Sequence, residues 1–388
     1  MPTGQPAFLT GAQGAAVADL VAAVRQLEGL TGQVGPYALP AETRDRAPEL
    51  VAAVCRELGV PLTFDARPEG RTRDFAAIAL GAEIQRAQRA PELAGLDVAV
   101  AAAEARRVYD EETAGYRPHR VTRPDGSVIT AVEAGPPDAP CVLLSPPCAM
   151  DHRLSLPWLV ALRSRYRCVI VESRGGIEPA EEPAAFDRRG HDLADQADDL
   201  LAVIEALDTG PVHLMGLCGG VGAALAAAAR SDRVRSVSLW HAAVDLGAEA
   251  RQTEHQVNLR EMLEMAGESR DSAAWLRDRL TSGPMTGVPE RVGPLVVRPY
   301  ATAELFYRYA RLTSASIRWD SRASAAGLTQ PCLVITSADD RIAHPDGSRR
   351  LAELIPSALL VVSPHGHHLD AFRATADQVS CLTSFLTS

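Results

Sequence analysis

The stretch that most constrains this chain is Gly216-Leu217-Cys218-Gly219-Gly220, which follows the mostly apolar run Val212 to Met215 and opens an Ala-rich segment, Val221 to Arg230. A strand, a sharp turn and a helix are thereby expected in immediate succession, with a thiol at the tip. The pattern is G-x-nucleophile-x-G. Small residues on both sides let strand and helix approach closely enough to hold the central side chain exposed and strained. Cysteine stands where serine is usual. Its reference pKa of roughly 8.5 falls at a helix N-terminus, so a modest push from a neighbouring base gives thiolate near neutral pH. Five residues alone also permit a Gly-rich turn around a buried, inert cysteine, and the context has to decide.

From about residue 117 onward, strands alternate with helices. His119 to Glu133, broken at Pro124-Asp125-Gly126, reads as a hairpin. Cys141 to Ser145 is a short apolar run and hence a buried strand, followed by a helix near Leu156 to Arg165 and a strand Cys168 to Glu172. A helix from about Asp187 to Leu207 carries Leu193, Ala197, Leu200, Leu201, Ile204 and Leu207 at helical spacing, with an acidic first part that suits a helix N-terminus. After the elbow come strands Val234 to Ala243, Cys332 to Thr336 and Ala358 to Ser363, with helices near Gly347 to Leu354 and Leu369 to Leu386.

In this order of motifs the chain resembles the α/β-hydrolase superfamily over roughly residues 117–388. The resemblance implies an α/β class fold, a mostly parallel sheet flanked by helices. It also implies a base on the loop after the last strand, which here reads Ser363-Pro364-His365-Gly366-His367-His368. His367 matches the usual Gly-His position, and His365 or His368 are the alternative rings. The base would take the thiol proton and later protonate a leaving group. A carboxylate should orient it. Asp340, in Ser337-Ala338-Asp339-Asp340-Arg341-Ile342, fits the commonest position. Asp245, after the strand that follows the elbow, is the alternative acid. Either Asp can also be a simple loop cap. For the oxyanion hole, Gly219 supplies one N–H, and the second should come from Cys148 or Ala149, because Pro146 and Pro147 have none. That loop lacks the His-Gly of ordinary esterases.

Composition narrows the setting. The chain has 388 residues, 46% of them hydrophobic, enough for a full core plus accessory parts. The net charge of −10 argues against nucleic acid and anionic membrane partners. Seven cysteines without close repeated spacing do not form a disulfide framework, no C-x-x-C pair suggests zinc, and no metal is expected. The N-terminus lacks the features of a signal peptide, and no run of 18 apolar residues occurs, so a cytoplasmic enzyme is expected.

Residues 1–116 are expected to form an N-terminal helical domain, with helices at Ala15 to Leu30, Ala47 to Leu58, Phe75 to Arg89 and Leu96 to Glu112. The core then comprises residues 117–246 and 330–388, separated by a helical lid at 247–329. Amphipathic stretches at Asn258 to Ala266, Ala273 to Leu280 and Thr302 to Thr313 would line that lid. Trp240, His241, Phe306 and Tyr307 are candidate substrate-binding residues, although packing is the commoner job of such side chains.

The Cys elbow, the unusual oxyanion loop and the helical extension together resemble aminoacyl and acyl transferases that move a thioester-bound group between carrier proteins in natural-product assembly lines. That resemblance implies Cys218 as nucleophile, His367 as base and Asp340 as orienter. It also implies acyl or peptidyl carrier proteins as partners, a substrate presented on phosphopantetheine, and no cofactor of the enzyme's own. A homo-oligomer is compatible with it. Cys-dependent Dieckmann-type cyclases, with the acid at Asp245, and thioesterases or dienelactone-type hydrolases use the same intermediate. A non-catalytic binding protein on a hydrolase fold is the reading from a different class.

Overall fold

The computed structural model describes residues 9–28, 37–38, 47–60, 64–65, 83–84, 86–175, 182–247, 250–281 and 293–387. The chain divides into two compact units, Met1–Ala114 with Arg277–Thr302, and Gly115–Leu276 with Ala303–Ser388.

In the first unit, α1 (Gly11–Arg25), α2 (Ala47–Glu57) and α3 (Val98–Thr113) pack on one another. Thr10 and Asp97 form side-chain caps at the first and third of these, satisfying backbone N–H groups that a helix start leaves orphaned. Val17, Leu20, Val21 and Val24 of α1 are buried, as are Leu50, Val51 and Val54 of α2 and Ala101 and Ala105 of α3. Arg25 Nη1 donates to Glu112 Oε2 at 2.7 Å. The helix expected at Phe75 to Arg89 lies mostly outside the described residues, as does the end of the one expected at Ala15 to Leu30. The stretch Arg277–Thr302, read from sequence as part of a lid, belongs to this unit. Arg277 holds the carbonyls of Tyr300 and Ala301 at 2.7 and 2.8 Å, and the buried Arg298 donates to the Glu28 carbonyl at 2.9 Å.

The second unit is built on an eight-stranded sheet: β1 (Arg117–Thr122), β2 (Val128–Ala134), β3 (Cys141–Ser145), β4 (Arg167–Val171), β5 (Val212–Leu217), β6 (Val234–Trp240), β7 (Cys332–Ser337) and β8 (Ala358–Ser363). The spatial order is β8-β7-β6-β5-β3-β4-β2-β1. Only β2 runs against its neighbours, pairing antiparallel with both β1 and β4, so the sheet is mostly parallel as expected. Strands β3, β5 and β7 are buried along their whole length, which is why they read as mostly apolar runs.

Flanking helices are α4 (Leu156–Leu162), α5 (Leu193–Ala206), α6 (Gly220–Ala228), α7 (Glu254–Glu268), α8 (Arg270–Thr281, which runs into the first unit), α9 (Ala303–Arg318), α10 (Pro345–Leu354) and α11 (Ala376–Thr387). The acidic segment read as one helix from Asp187 begins its long helix only at Leu193. Asp192 forms a capping box there with Asp195, and Pro183–Asp187 is a separate short helix. Helices α7 and α9 pack against each other. Among the described residues, no helix is long and apolar enough to cross a membrane.

Candidate active site

Cys218 follows β5 directly, with φ +53, a left-handed conformation that a non-glycine residue adopts at a cost. Its N–H donates to the Trp240 carbonyl at 2.9 Å, which ties the turn to the end of β6. The flanking glycines are needed for closeness. A Cβ at Gly216 would sit 2.8 Å from Val221 Cα, and one at Gly220 would sit 2.0 Å from the Ser145 carbonyl oxygen. Strand β5, helix α6 and the end of β3 therefore meet at distances only glycine allows, and the thiol is left partly exposed while Cys141, Cys148, Cys168 and Cys332 are buried. Burial pushes the Cys141 and Cys332 thiols up to about 12 and Cys148 to about 11, which suits inert core residues.

The imidazole brought to this sulfur is His368, one residue beyond the expected His367. His367 is exposed. Its Nδ1 accepts the Leu369 N–H at 3.2 Å and its own N–H donates to Asp370 Oδ2 at 2.7 Å, so it caps the 3-10 turn His368–Phe372. The turn it caps carries the next ring inward. His368 is 2% exposed, and its Nδ1 lies 2.8 Å from Asp340 Oδ2. Trp158 fixes the turn from below by donating its indole N–H to the Ala371 carbonyl at 2.7 Å. His365 is exposed and its Nδ1 lies 3.2 Å from Asp339 Oδ2.

Burial alone would lower the His368 pKa. The nearby Cys218 sulfur and the Asp340 carboxylate more than offset this and raise it to about 10. Its Nε2 is buried without a hydrogen bond of normal length. Base and nucleophile often close fully only around a substrate.

Asp340 is held from two sides. Its Oδ1 accepts the N–H groups of Ile342 and Ala343 at 2.9 and 3.1 Å, and its Oδ2 accepts from His368 and, at 2.7 Å, from His241 Nδ1. Burial opposes its ionised form, but the two imidazoles and the backbone donors outweigh that and hold its pKa well below the usual carboxylate range. Asp245 is placed differently. Its Oδ1 accepts the Gly247 N–H at 2.8 Å and its backbone bridges to Asp320, the loop-capping role open to any Asp after a strand.

At the oxyanion loop, the Ala149 N–H is already spent on Ser173 Oγ at 3.1 Å, in a residue with φ +56. Cys148 remains as the second donor candidate beside Gly219, whose Cα hydrogen faces Pro147. The Cys148 thiol donates to Gln196 Oε1 at 2.9 Å, and Gln196 Nε2 donates to the carbonyls of His191 and Leu312 at 3.0 and 3.1 Å. Gln196 thus anchors the loop to α5 and α9. Nothing local marks it in the sequence, since it reads as one more polar residue on an amphipathic helix.

The four substrate-binding candidates sit in other surroundings. Trp240 is fully buried, stacks edge-on against Trp158 at 4.8 Å and donates to Ser238 Oγ. His241 bonds Asp340. Phe306 is fully buried, and Tyr307 donates to Asp187 Oδ1 at 3.2 Å with Arg270 over its ring. A cavity of about 970 Å³, lined by Thr253, Glu254, His255, Arg341 and His344 among others, opens beside Asp340.

Among the described residues two side-chain groups, His241 with Asp340 and His368, and Asp151 with His152 and Glu172, are close enough to share an ion. In the first, both imidazole Nδ1 atoms are bonded to Asp340 Oδ2, while His368 Nε2 has no hydrogen-bond partner among the described residues. In the second, His152 Nδ1 meets Glu172 Oε1 at 2.6 Å, Arg153 meets Asp151 Oδ2 at 2.6 Å, and Thr130 donates to Glu172 Oε2 at 2.5 Å.

Comparison with known proteins agrees with the architecture. The family described as alpha/beta hydrolase fold matches residues 151–374. The chain is 24% identical over 224 residues to 3-oxoadipate enol-lactonase 1 of Acinetobacter baylyi, covering 57% of this chain and 79% of that protein. It is 26% identical over 275 residues to a protein of Caulobacter sp. named putative carbamate hydrolase RutD, covering 64% and 90%. The crystal structure of the enol-lactonase from Burkholderia xenovorans LB400 superposes with a TM-score of 0.52 at 23% identity, over 70% of this chain and all (100%) of that one. This last likeness is one of fold.

Proposed function

Because the chain belongs to the α/β hydrolase fold family, we propose that it is an enzyme whose Cys218 carries an acyl or aminoacyl group as a thioester and passes it on, with His368 as base and Asp340 as orienter. One observation carries the reading: a partly exposed thiol at a left-handed elbow, facing an imidazole whose other nitrogen is bonded to a buried carboxylate. In the first half-reaction His368 Nε2 takes the thiol proton and the sulfur attacks the substrate carbonyl. The N–H groups of Gly219 and Cys148 stabilise the oxyanion. The tetrahedral adduct then collapses, the bond to the leaving group breaks, and His368 returns the proton to that group. In the second half-reaction an acceptor gives its proton to His368 and attacks the thioester, and Cys218 leaves as thiolate and regains the proton.

The sulfur supports transfer over hydrolysis. A thioester reacts with thiols and amines more readily than an oxygen ester does, while hydrolysing comparably slowly. Donor and acceptor are then acyl or peptidyl carrier proteins of secondary-metabolite biosynthesis, presenting the group on phosphopantetheine. The polar cavity beside Asp340 suits such a polar arm better than a fatty chain. The names of the relatives, an enol-lactonase and a carbamate hydrolase, favour a second reading in which water is the acceptor.

Intact mass spectrometry after incubation with an acylated carrier protein tests both. An acyl adduct is expected on wild type and not on Cys218→Ala, and its absence from wild type removes the covalent reading. Addition of a second carrier in its thiol form then separates the acceptors: acylation of that carrier supports transfer, and release of free acid supports hydrolysis.

A further inference from the structure

Asp340 does more than a triad acid requires, because a single one of its oxygens accepts from two imidazoles. His241 Nδ1 and His368 Nδ1 lie 2.7 and 2.8 Å from the same Oδ2, with ring centres 5.5 Å apart and planes at 84°. The three residues are 2 to 4% exposed. An ionised carboxylate has no hydrogen to give, so each Nδ1 must carry one. A neutral ring in either place is thereby the tautomer with its lone pair on Nε2, which for His368 is the nitrogen that serves the sulfur. His241 reaches the carboxylate from the end of β6 with φ +49, while its N–H is held by the Ile335 carbonyl at 2.8 Å. A histidine kept in the left-handed region at this place is strain that the surroundings have to support.

We infer that His241 is a positioning residue that shares the charge of Asp340 and so keeps His368 a weaker base than an undivided carboxylate would make it. This rests on the acyl-Cys218 reading. The titratable groups facing His368 are Cys218 at the elbow, Asp340 after β7, His241 at the end of β6 and His255 on α7. Once the sulfur is acylated, it carries no charge, and Asp340 is the one anion left in that set. His368 must then be unprotonated to take the acceptor's proton. A carboxylate whose charge is divided between two N–H donors holds the imidazolium less tightly, so the base is free at lower pH.

Proton NMR of the free enzyme tests the geometry without any substrate. Two Nδ1–H signals are expected far downfield of the amides, one lost in His241→Asn and both lost in Asp340→Asn. A spectrum with no downfield signal that depends on His241 overturns the inference.

Kinetics tests the role. The acetyl-enzyme is loaded from p-nitrophenyl acetate, and its transfer to cysteamine is followed against pH. In His241→Ala the acidic limb should move up by about one pH unit, which lowers the rate below that limb about tenfold. His241→Asn places an amide N–H where Nδ1 was and tolerates the positive φ, so it should keep the wild-type limb. A His241→Ala limb identical to wild type, or identical limbs in the two variants, overturns the inference. Should His241→Ala fail to fold, the NMR result and an Asn limb at the wild-type position still decide. If wild type takes up no acetyl group on Cys218, the covalent reading fails instead, while the NMR signals continue to report on His241.

Discussion

His213 and His368 are both buried histidines of the same unit, yet their surroundings drive them in opposite directions. His213, on β5, lies with its ring nitrogens 2.8 and 2.9 Å from the hydroxyls of Ser236 and Ser238. Among the described residues nothing charged faces it, and burial pushes its pKa down to about 3. His368 is just as buried, but the Cys218 sulfur and the Asp340 carboxylate outweigh that burial and raise it to about 10. Burial alone therefore says little about a histidine. The charge placed against it decides whether the ring is a neutral piece of core or a base held ready.

The largest effect should come from removing that charge. In Asp340→Asn, His368 would lose its carboxylate and keep only the Cys218 sulfur as a charged neighbour, and the amide could donate to Nδ1 and favour the wrong tautomer. Acyl transfer should fall by about 10³ to 10⁴. A loss below about tenfold, measured as single-turnover acylation of Cys218, would mean that Asp340 does not orient the base.

A smaller effect, on stability, should come from His213. Its folded pKa is depressed, so the unfolded chain binds the proton more readily, and stability rises with pH across the window. Its contribution is complete above the unfolded value of about 6.5 and is lost as pH falls toward 3, at up to about 1.4 kcal/mol per pH unit. His368 has the opposite sign. Its contribution is complete below about 6.5 and is lost as pH rises through about 10. Urea unfolding of wild type and His213→Gln at a series of pH values checks the first of these. The variant should show a flatter decline on the acid side, and parallel curves would remove His213 from the account.

The smallest effects should come from the residues that share the chemistry but not the position. His367→Ala and Asp245→Asn should each change acylation less than about twofold, because one caps an exposed turn and the other a loop. A hundredfold loss in either would return the base or the acid to the place first read from the sequence.

Much of this was legible in the chain itself. The elbow was readable because its signal is local: an apolar run, three glycines around one cysteine, and a helix-forming segment, each with a direct steric reason. The central strands were readable because a parallel sheet covered on both faces demands apolar segments, as at Cys141–Ser145 and Cys332–Ser337. The acid was legible as Asp340, in the commonest superfamily position after the penultimate strand, with Asp245 as the alternative, because a carboxylate in a loop after a strand is equally suited to capping that loop.

The base is where local reading stopped. His365, His367 and His368 lie within four residues of one another and carry the same side chain, and a Gly-His pattern favours the middle one. Which ring meets the carboxylate depends on the 3-10 turn that starts at His368 and on Trp158 docking beneath it, contacts between segments about 200 residues apart. His241 was read as a candidate substrate-binding residue, and its bond to Asp340, which spans 99 residues, had no local signal.

The sequence by itself determined that this chain builds a mostly parallel sheet with a thiol at a strained strand-to-helix turn, because periodicity and glycine sterics act between near neighbours. Only the tertiary structure decided which imidazole and which carboxylate stand behind that thiol, because identical side chains acquire different chemistry from what the rest of the fold packs against them.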